Sequence, residues 1–472
     1  MSRLVLLSGL ILGGCAALPT NLPTRPAMLQ PEAAATVAEL AQEVHAASAP
    51  VRDETWWQAF AIPELNQVEE QALLANPDLV TARARLEAAS RAEQLVRLDA
   101  GGHYSTDASA VRQRFSENGI FPPPIGGSTF TQFDFTQSFA YSLDVWGRKR
   151  ALVQAAGAQT RVAQAQSQAV RLTLSAAVAD AYFTWADSGH ELALAQTIEQ
   201  RHRSEYDLAR SRFELGLAGI GPVHDARQRL DLDADLVHGL DYQNRASRYR
   251  LAGLLGLDPD HAAQLPAPRL EGQVPALPPS LPLDALGRRP DVAARRAGLE
   301  ATKAEADATR AEFYPNIDLK AAIGVESLDL TKLLRSGSVT FAVGPALHLP
   351  LFNTHTLQAR LGMREADVSA AVGEYNHTVL EAARQVVDRY ALNASLDRRE
   401  AAQRQALVET RQTRALAGKK LELGLAPRFD ALEAELAVLD QELSLTRLRA
   451  AQLRARVALA EALGGATDAR KE

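Results

Sequence analysis

The chain has 472 residues and a formal net charge of −6, so it lacks the global basic field that would steer it to nucleic acid. Charged residues make up 23% and hydrophobic ones 46%, the balance of a folded chain. A single cysteine excludes internal disulfides and cysteine-rich metal sites. No run after residue 15 holds 18 consecutive apolar residues. Any crossing of a membrane is therefore expected from a closed β-barrel, because lipid tolerates no unpaired backbone groups.

Arg3 is followed by the apolar run Leu4 to Leu12, too short to span a bilayer and of signal-peptide form. Leu12-Gly13-Gly14-Cys15 closes it and resembles the lipobox of bacterial lipoproteins, in which the signal is removed and the cysteine becomes lipidated. The plainer alternative is an ordinary signal peptide with a chance cysteine. Ala16, where an aspartate would resemble inner-membrane retention, points to the outer membrane. A palmitate-type anchor of two or more chains on Cys15 would hold the protein firmly.

After this leader the chain repeats itself. Asn76-Pro77-Asp78-Leu79 matches Arg289-Pro290-Asp291-Val292. Leu215-Gly216-Leu217-Ala218 matches Leu423-Gly424-Leu425-Ala426, and Leu254-Leu255-Gly256 matches Ala462-Leu463-Gly464. The same order and a nearly constant offset, slightly above 200 residues, mark an internal duplication. The expected organisation is a signal peptide at 1–14, a lipidated N-terminal segment at 15–62 and a first repeat at 63–271. A Pro-rich linker at 272–289, a second repeat at 290–465 and a C-terminal tail at 466–472 follow.

Each repeat reads as helix, strand pair, very long helix, turn and long helix. The opening helices are expected at Glu64 to Asp99 and Pro290 to Phe313, with Pro and Asp suiting the first turn. Odd-numbered apolar residues alternate with small or polar ones over Phe133–Val145, Ile317–Val325 and Val339–Leu351, the period of lipid-facing barrel strands. A strand near His103 to Phe115 alternates poorly. The loops at Ser116–Thr129 and Glu326–Ser338 are expected at an outside mouth. Gly147–Glu214 and Thr354–Glu422 contain no proline and predict helices on the order of 100 Å long. Their Ala-rich seams flanked by Gln and Arg suit a helical tube better than a thick apolar core.

Taken together, signal, duplication, strand pairs and long hairpins resemble the outer membrane factor (TolC-like) family, closest to its NodT-like efflux lipoprotein branch. Leu143-Asp144-Val145-Trp146-Gly147-Arg148 looks like the family's strand-to-helix junction. The resemblance implies a mixed α and β chain that forms a homotrimer. Four strands per chain would build a 12-stranded transmembrane β-barrel, continued by an α-helical barrel in the periplasm. It implies an outer-membrane, lipid-anchored efflux channel of multidrug-resistance type, working with a periplasmic adaptor and an inner-membrane transporter of RND type. Gly216, Leu217, Gly424 and Leu425 would form the adaptor-docking tip. Asp430 and Glu433, one turn apart, would ring the entrance and favour cations. Asp225 is the first-tip acid, displaced by Gly219-Ile220-Gly221 from the family spacing. Ala426 stands where the family has a partner for it, so the closing ion pair is in doubt.

Scattered histidines and three methionines suggest no metal site, and no nucleophile–base set or phosphate loop suggests an enzyme; no cofactor is expected besides the lipid on Cys15. Two other readings remain open at this level. One is an exit duct for type I protein secretion; the other is a periplasmic coiled-coil scaffold without a pore.

Overall fold

The computed structural model describes residues 18–19, 24–29, 55–270, 272–277 and 284–465. The signal peptide, Cys15 and the tail at 466–472 lie outside the described residues. The elements in chain order are α1 (Pro63–Ala75), α2 (Pro77–Asp99), β1 (His103–Arg114), β2 (Thr129–Leu143), α3 (Arg148–Glu214), α4 (Gly221–Leu254) and the short α5 (Pro259–Ala262). Next come α6 (Asp284–Arg288), α7 (Pro290–Ala311), β3 (Asn316–Ser327), β4 (Val339–His348), α8 (Thr354–Glu422) and α9 (Arg428–Ala462). Helix, strand pair, long helix and shorter helix thus occur twice. By compactness the chain divides differently, into two units that each draw on both repeats.

One unit holds residues 85–164 and 294–376 together with residues 18–19 and 24–28. Its sheet runs β1-β2-β3-β4, antiparallel throughout. The register decides what each face carries. Phe135 lies opposite Val325, which lies opposite Val339; Gln137, Ile323 and Phe341 form the next row, and Phe139, Ala321 and Val343 the one after. Tyr141, Leu319 and Leu143, Ile317, Leu347 continue the same face. The other face carries Asp107, Asp134, Thr136, Ser138, Ser142, Glu326, Lys320, Asp318, Thr340 and His348. Phe341 and Val343 are 80% and 79% exposed, so among the described residues this end of the apolar face is uncovered.

The turn from β2 into α3 follows from its sequence. Leu143 ends the strand because the Asp144 carboxylate turns to accept from the Lys149 and Arg150 backbone N–H groups, both at 2.9 Å, capping α3. Gly147 supplies the positive φ of 78° that the turn needs. Trp146 stacks on Tyr314 at 4.6 Å and donates from Nε1 to the Pro315 carbonyl, tying this corner to the entry of β3. The helices below are joined by thin seams. Leu299 and Ala306 of α7 meet Val368 and Val372 of α8, and Ala155, Ala158, Ala301, Ala304 and Ala308 are buried. Small residues let backbones approach closely without a thick core.

The second unit, drawn from 55–84, 165–293 and 377–465, holds the largest core. Trp56, Trp57, Phe60 and Ile62 precede α1 and pack with Leu65 and Leu73 of α1 and Tyr182, Phe183 and Trp185 of α3. The Trp56 Nε1–H donates to Ser175 Oγ at 3.0 Å, which satisfies the buried indole. Each such side chain removed from water contributes about 1.5–3 kcal/mol.

Several expected boundaries move, each for a local reason. The single helix expected over Glu64–Asp99 is two: Asn76 is extended at φ −65°, ψ 126°, because Pro77 disfavours helix before it. The Asn76 side chain then accepts from Asp78 N–H and donates to the Leu254 carbonyl. Its counterpart ends at Ala311, not Phe313. β2 begins four residues earlier than Phe133, and β4 stops at His348. β1 forms in full despite its weak alternation, paired along its length with β2. Residues 272–277 of the Pro-rich segment are docked: Gln273 N–H donates to Phe60 O, and Arg449 and Arg456 donate to the Gly272 and Pro275 carbonyls.

Glu69 of α1 is fully buried in the second unit and neither carboxyl oxygen has a hydrogen-bond partner. Burial pushes its pKa from 4.5 up to about 9, so it folds as the neutral acid. The unfolded chain would release that proton at neutral pH while the fold retains it, so this group costs stability as pH rises between those two values. Glu69→Gln is therefore expected to raise the thermal midpoint little at pH 5 and progressively more toward pH 8. The limiting slope is about 1.4 kcal/mol per pH unit. Thermal melts of wild type and variant across that range check it; a pH-independent offset would contradict it.

Candidate channel wall, tips and gate

The two turns that join the long helices are built alike. Gly216 and Gly424 have φ of 69° and 67°. Leu217 N–H reaches back to Arg212 O, and Leu425 N–H to Lys420 O, both at 2.8 Å, while Gly216 and Gly424 N–H bond Phe213 and Leu421 carbonyls. This is the Schellman closure of a helix C-terminus, which needs a left-handed residue and so favours glycine. A Cβ at either glycine would meet nothing, so the demand is backbone conformation alone. The closure turns its leucines outward: Leu217 is 67% and Leu425 75% exposed, with Leu215 and Leu423 similarly bare. Each tip thus presents a pair of apolar side chains to whatever meets it. Within its repeat, the end of the second helix is closed the same way at Gly256 and Gly464.

The candidate gate acids all stand free. Asp430 lies in the first turn of α9, Glu433 one turn on, and Asp225 in the second turn of α4; all three are exposed and none forms an ion pair among the described residues. Among the described residues no bridge runs from Asp225 to the second tip, and Arg428 forms none either.

Ion pairs instead lie farther along the helices. Glu435 of α9 receives Arg201 of α3 at 3.3 Å and Arg414 of α8 at 3.6 Å. Arg411 pairs with Glu442 at 2.7 Å. Arg447 and Arg454, seven residues apart on α9, reach Glu191 and Asp180 of α3 at 3.0 and 2.7 Å. Asp187 lies between those two acids on α3; burial, then the neighbouring Glu191, pushes its pKa up to about 7. The pairs made by Arg201, Arg447 and Arg454 bind the first hairpin to the second, whereas those of Arg411 and Arg414 lie within the second. Glu435, two residues beyond the expected Glu433, is the acid at this end of α9 that holds partners. The signal available was the seven-residue spacing of arginines on α9 facing acids on α3. Half-exposed pairs of this kind contribute about 0–1 kcal/mol each, so their number matters more than any one of them.

The sheet supplies the remaining surface. Its apolar face is lipid-like in composition, and its polar face carries carboxylates, hydroxyls, Lys320 and His348. Among the described residues no helix is long and apolar enough to cross a membrane, and no His, Cys, Asp and Glu cluster could hold a metal ion. The lipidation candidate, Cys15, lies outside the described residues.

Comparison with known proteins accords with this arrangement. The profile of the family described as outer membrane efflux protein matches residues 68–257 and 281–465, one stretch in each repeat. Multidrug resistance outer membrane protein MdtP of Escherichia coli K12 is 32% identical over 99% of this chain and 98% of its own. Toluene efflux pump outer membrane protein TtgC of Pseudomonas putida is 29% identical over 96% and 93%. Among solved structures, the outer membrane protein VceC from Vibrio cholerae superposes with a TM-score of 0.79 at 30% identity, over 88% of this chain and 99% of that one. The chain belongs to the outer membrane efflux protein family.

Proposed function

We propose that this protein is the outer-membrane duct of a tripartite efflux pump that expels small molecules. The observation that carries the reading is the sheet: one apolar face, one polar face and two open edges, β1 and β4. Strands of 10 to 15 residues are long enough to span the hydrocarbon layer. Open edges would leave peptide groups unpaired there, so β4 of one copy pairs with β1 of the next until the barrel closes. The family resemblance sets the number at three copies and twelve strands. The apolar face then meets lipid and the polar face lines the bore.

The helices support the same assembly. Leu380, Leu392, Val408 and Leu416 of α8 and Leu232 and Leu236 of α4 are exposed in one chain and offer apolar contacts for neighbouring copies. At the tips the outward leucines dock a periplasmic adaptor, which joins the duct to an inner-membrane transporter of RND type. Asp430 and Glu433, unpaired among the described residues of one chain, contribute six carboxylates around the trimer axis and favour cations. Cys15 carries the lipid that tethers the chain to the inner leaflet. Relatives named for multidrug and toluene efflux support a small-molecule cargo.

Two measurements test this. In planar bilayers the detergent-purified trimer is expected to form a cation-selective pore, and Asp430→Asn with Glu433→Gln is expected to weaken that selectivity. A pore indifferent to the double change removes the gate assignment, and a protein soluble and monomeric without detergent removes the duct. Leu217→Asp with Leu425→Asp is expected to weaken adaptor binding about tenfold or more, a loss of at least about 1.4 kcal/mol. Drug susceptibility should rise while the amount of trimer stays level; unchanged susceptibility contradicts docking at the tips.

A further inference from the structure

Glu365 of α8 is 1% exposed, yet it is a charged carboxylate with two arginines on it. One is Arg310 of α7, whose Nη2 lies 2.5 Å from Oε1. The other comes from the far end of the chain. Arg25 Nε donates to Oε2 at 2.8 Å and Nη2 to Oε1 at 3.0 Å, a two-pronged contact across 340 residues. The paired Arg25 holds the Glu365 carboxyl below its ordinary range. Two residues on, Asn376 Nδ2 donates to the Ala27 carbonyl at 2.9 Å, and Lys303 Nζ lies 3.7 Å from Met28 Sδ.

These contacts give the segment a direction. Arg25 meets α8 at Glu365 and Ala27 meets it at Asn376, three turns farther from the strands. The chain before Arg25 therefore leaves from the end of the contact nearer β4. Glu365 is the twelfth residue of α8, so it lies about 17 Å from the start of the helix at Thr354. Ten residue steps lead from Cys15 to Arg25, a span of at most about 35 Å. That reach is about twice the distance, so Cys15 can reach the level where strands give way to helices.

We propose that Glu365, with Arg310, is a clasp that pins the N-terminal segment through Arg25. A lipid on Cys15 would then act as a tether on this pinned segment. The tether rests on the lipidation reading given above; the clasp does not. Two-pronged arginine–carboxylate contacts are the strong class of ion pair, and a lysine cannot reproduce the geometry.

A spin label on a single introduced cysteine, Thr24→Cys, in the full-length trimer reads the clasp. With Arg25 present the label is expected to be restricted. Adding Arg25→Ala should shorten its correlation time about threefold or more, toward that of a free chain, and Arg25→Lys should keep only part of the restriction. A spectrum unchanged by Arg25→Ala, or a label already fast with Arg25 in place, overturns the clasp. The protein without the introduced cysteine reads the anchor separately, since a thioether-linked Cys15 takes up no label. Labelling there removes the tether and leaves the clasp standing.

Discussion

A peptide group buried in hydrocarbon has no water to bond, so every N–H and C=O that enters the membrane needs a partner within protein. The four-stranded sheet here meets that demand along β2 and β3 and fails it at the outer edges of β1 and β4. Its side chains make the same division, with Phe135, Phe139, Ile323, Phe341 and Val343 on one face and Asp134, Ser138, Lys320 and Thr340 on the other. A chain built so is incomplete alone. Closure with further copies satisfies the edges and places the apolar face in lipid, and the remaining architecture follows from having to continue that closed wall through water.

The helices solve a different problem with the same economy. A tube wall one helix thick has solvent on both sides and cannot hold a thick apolar core, so its seams are narrow. Ala155, Ala158, Ala304 and Ala308 are buried where leucines would force the helices apart. The large side chains gather instead in one place, where Trp56, Phe60, Tyr182 and Phe183 meet. Between the hairpins polar contacts take over, with Glu435, Glu191 and Asp180 receiving arginines from facing helices. Such pairs are individually weak, so the junction between hairpins rests on several of them together.

Much of this is legible in the sequence because the duplication repeats each signal. Proline-free runs and the Leu-Gly-Leu-Ala turns locate α3, α8 and both tips, and strict alternation locates β3 and β4. Other features escape for identifiable reasons. β1 is written mainly in small and polar residues and is held by its ladder to β2, which a single strand cannot announce. Pro77 can open a helix or break one, and only the extended Asn76, bonded to Leu254 178 residues away, decides between them. Trp56 and Trp57 look like part of the N-terminal segment until α3 is seen to pack on them. Glu365 reads as one acid among many on a long helix. Its role depends on Arg25 and Arg310, which spacing along the chain cannot bring together.

The claim on which the rest depends is that the two faces of the sheet meet lipid and water respectively. Val343 and Ala342 are neighbours on β4 and point to opposite faces. Val343→Arg and Ala342→Arg add the same charge to the same strand, so their difference isolates the face. The proposed barrel predicts that Val343→Arg lowers the yield of membrane-inserted trimer, at a cost of about 2–4 kcal/mol near the bilayer midplane, whereas Ala342→Arg inserts nearly as wild type. Equal yields from the two variants, or the reverse order, would contradict it.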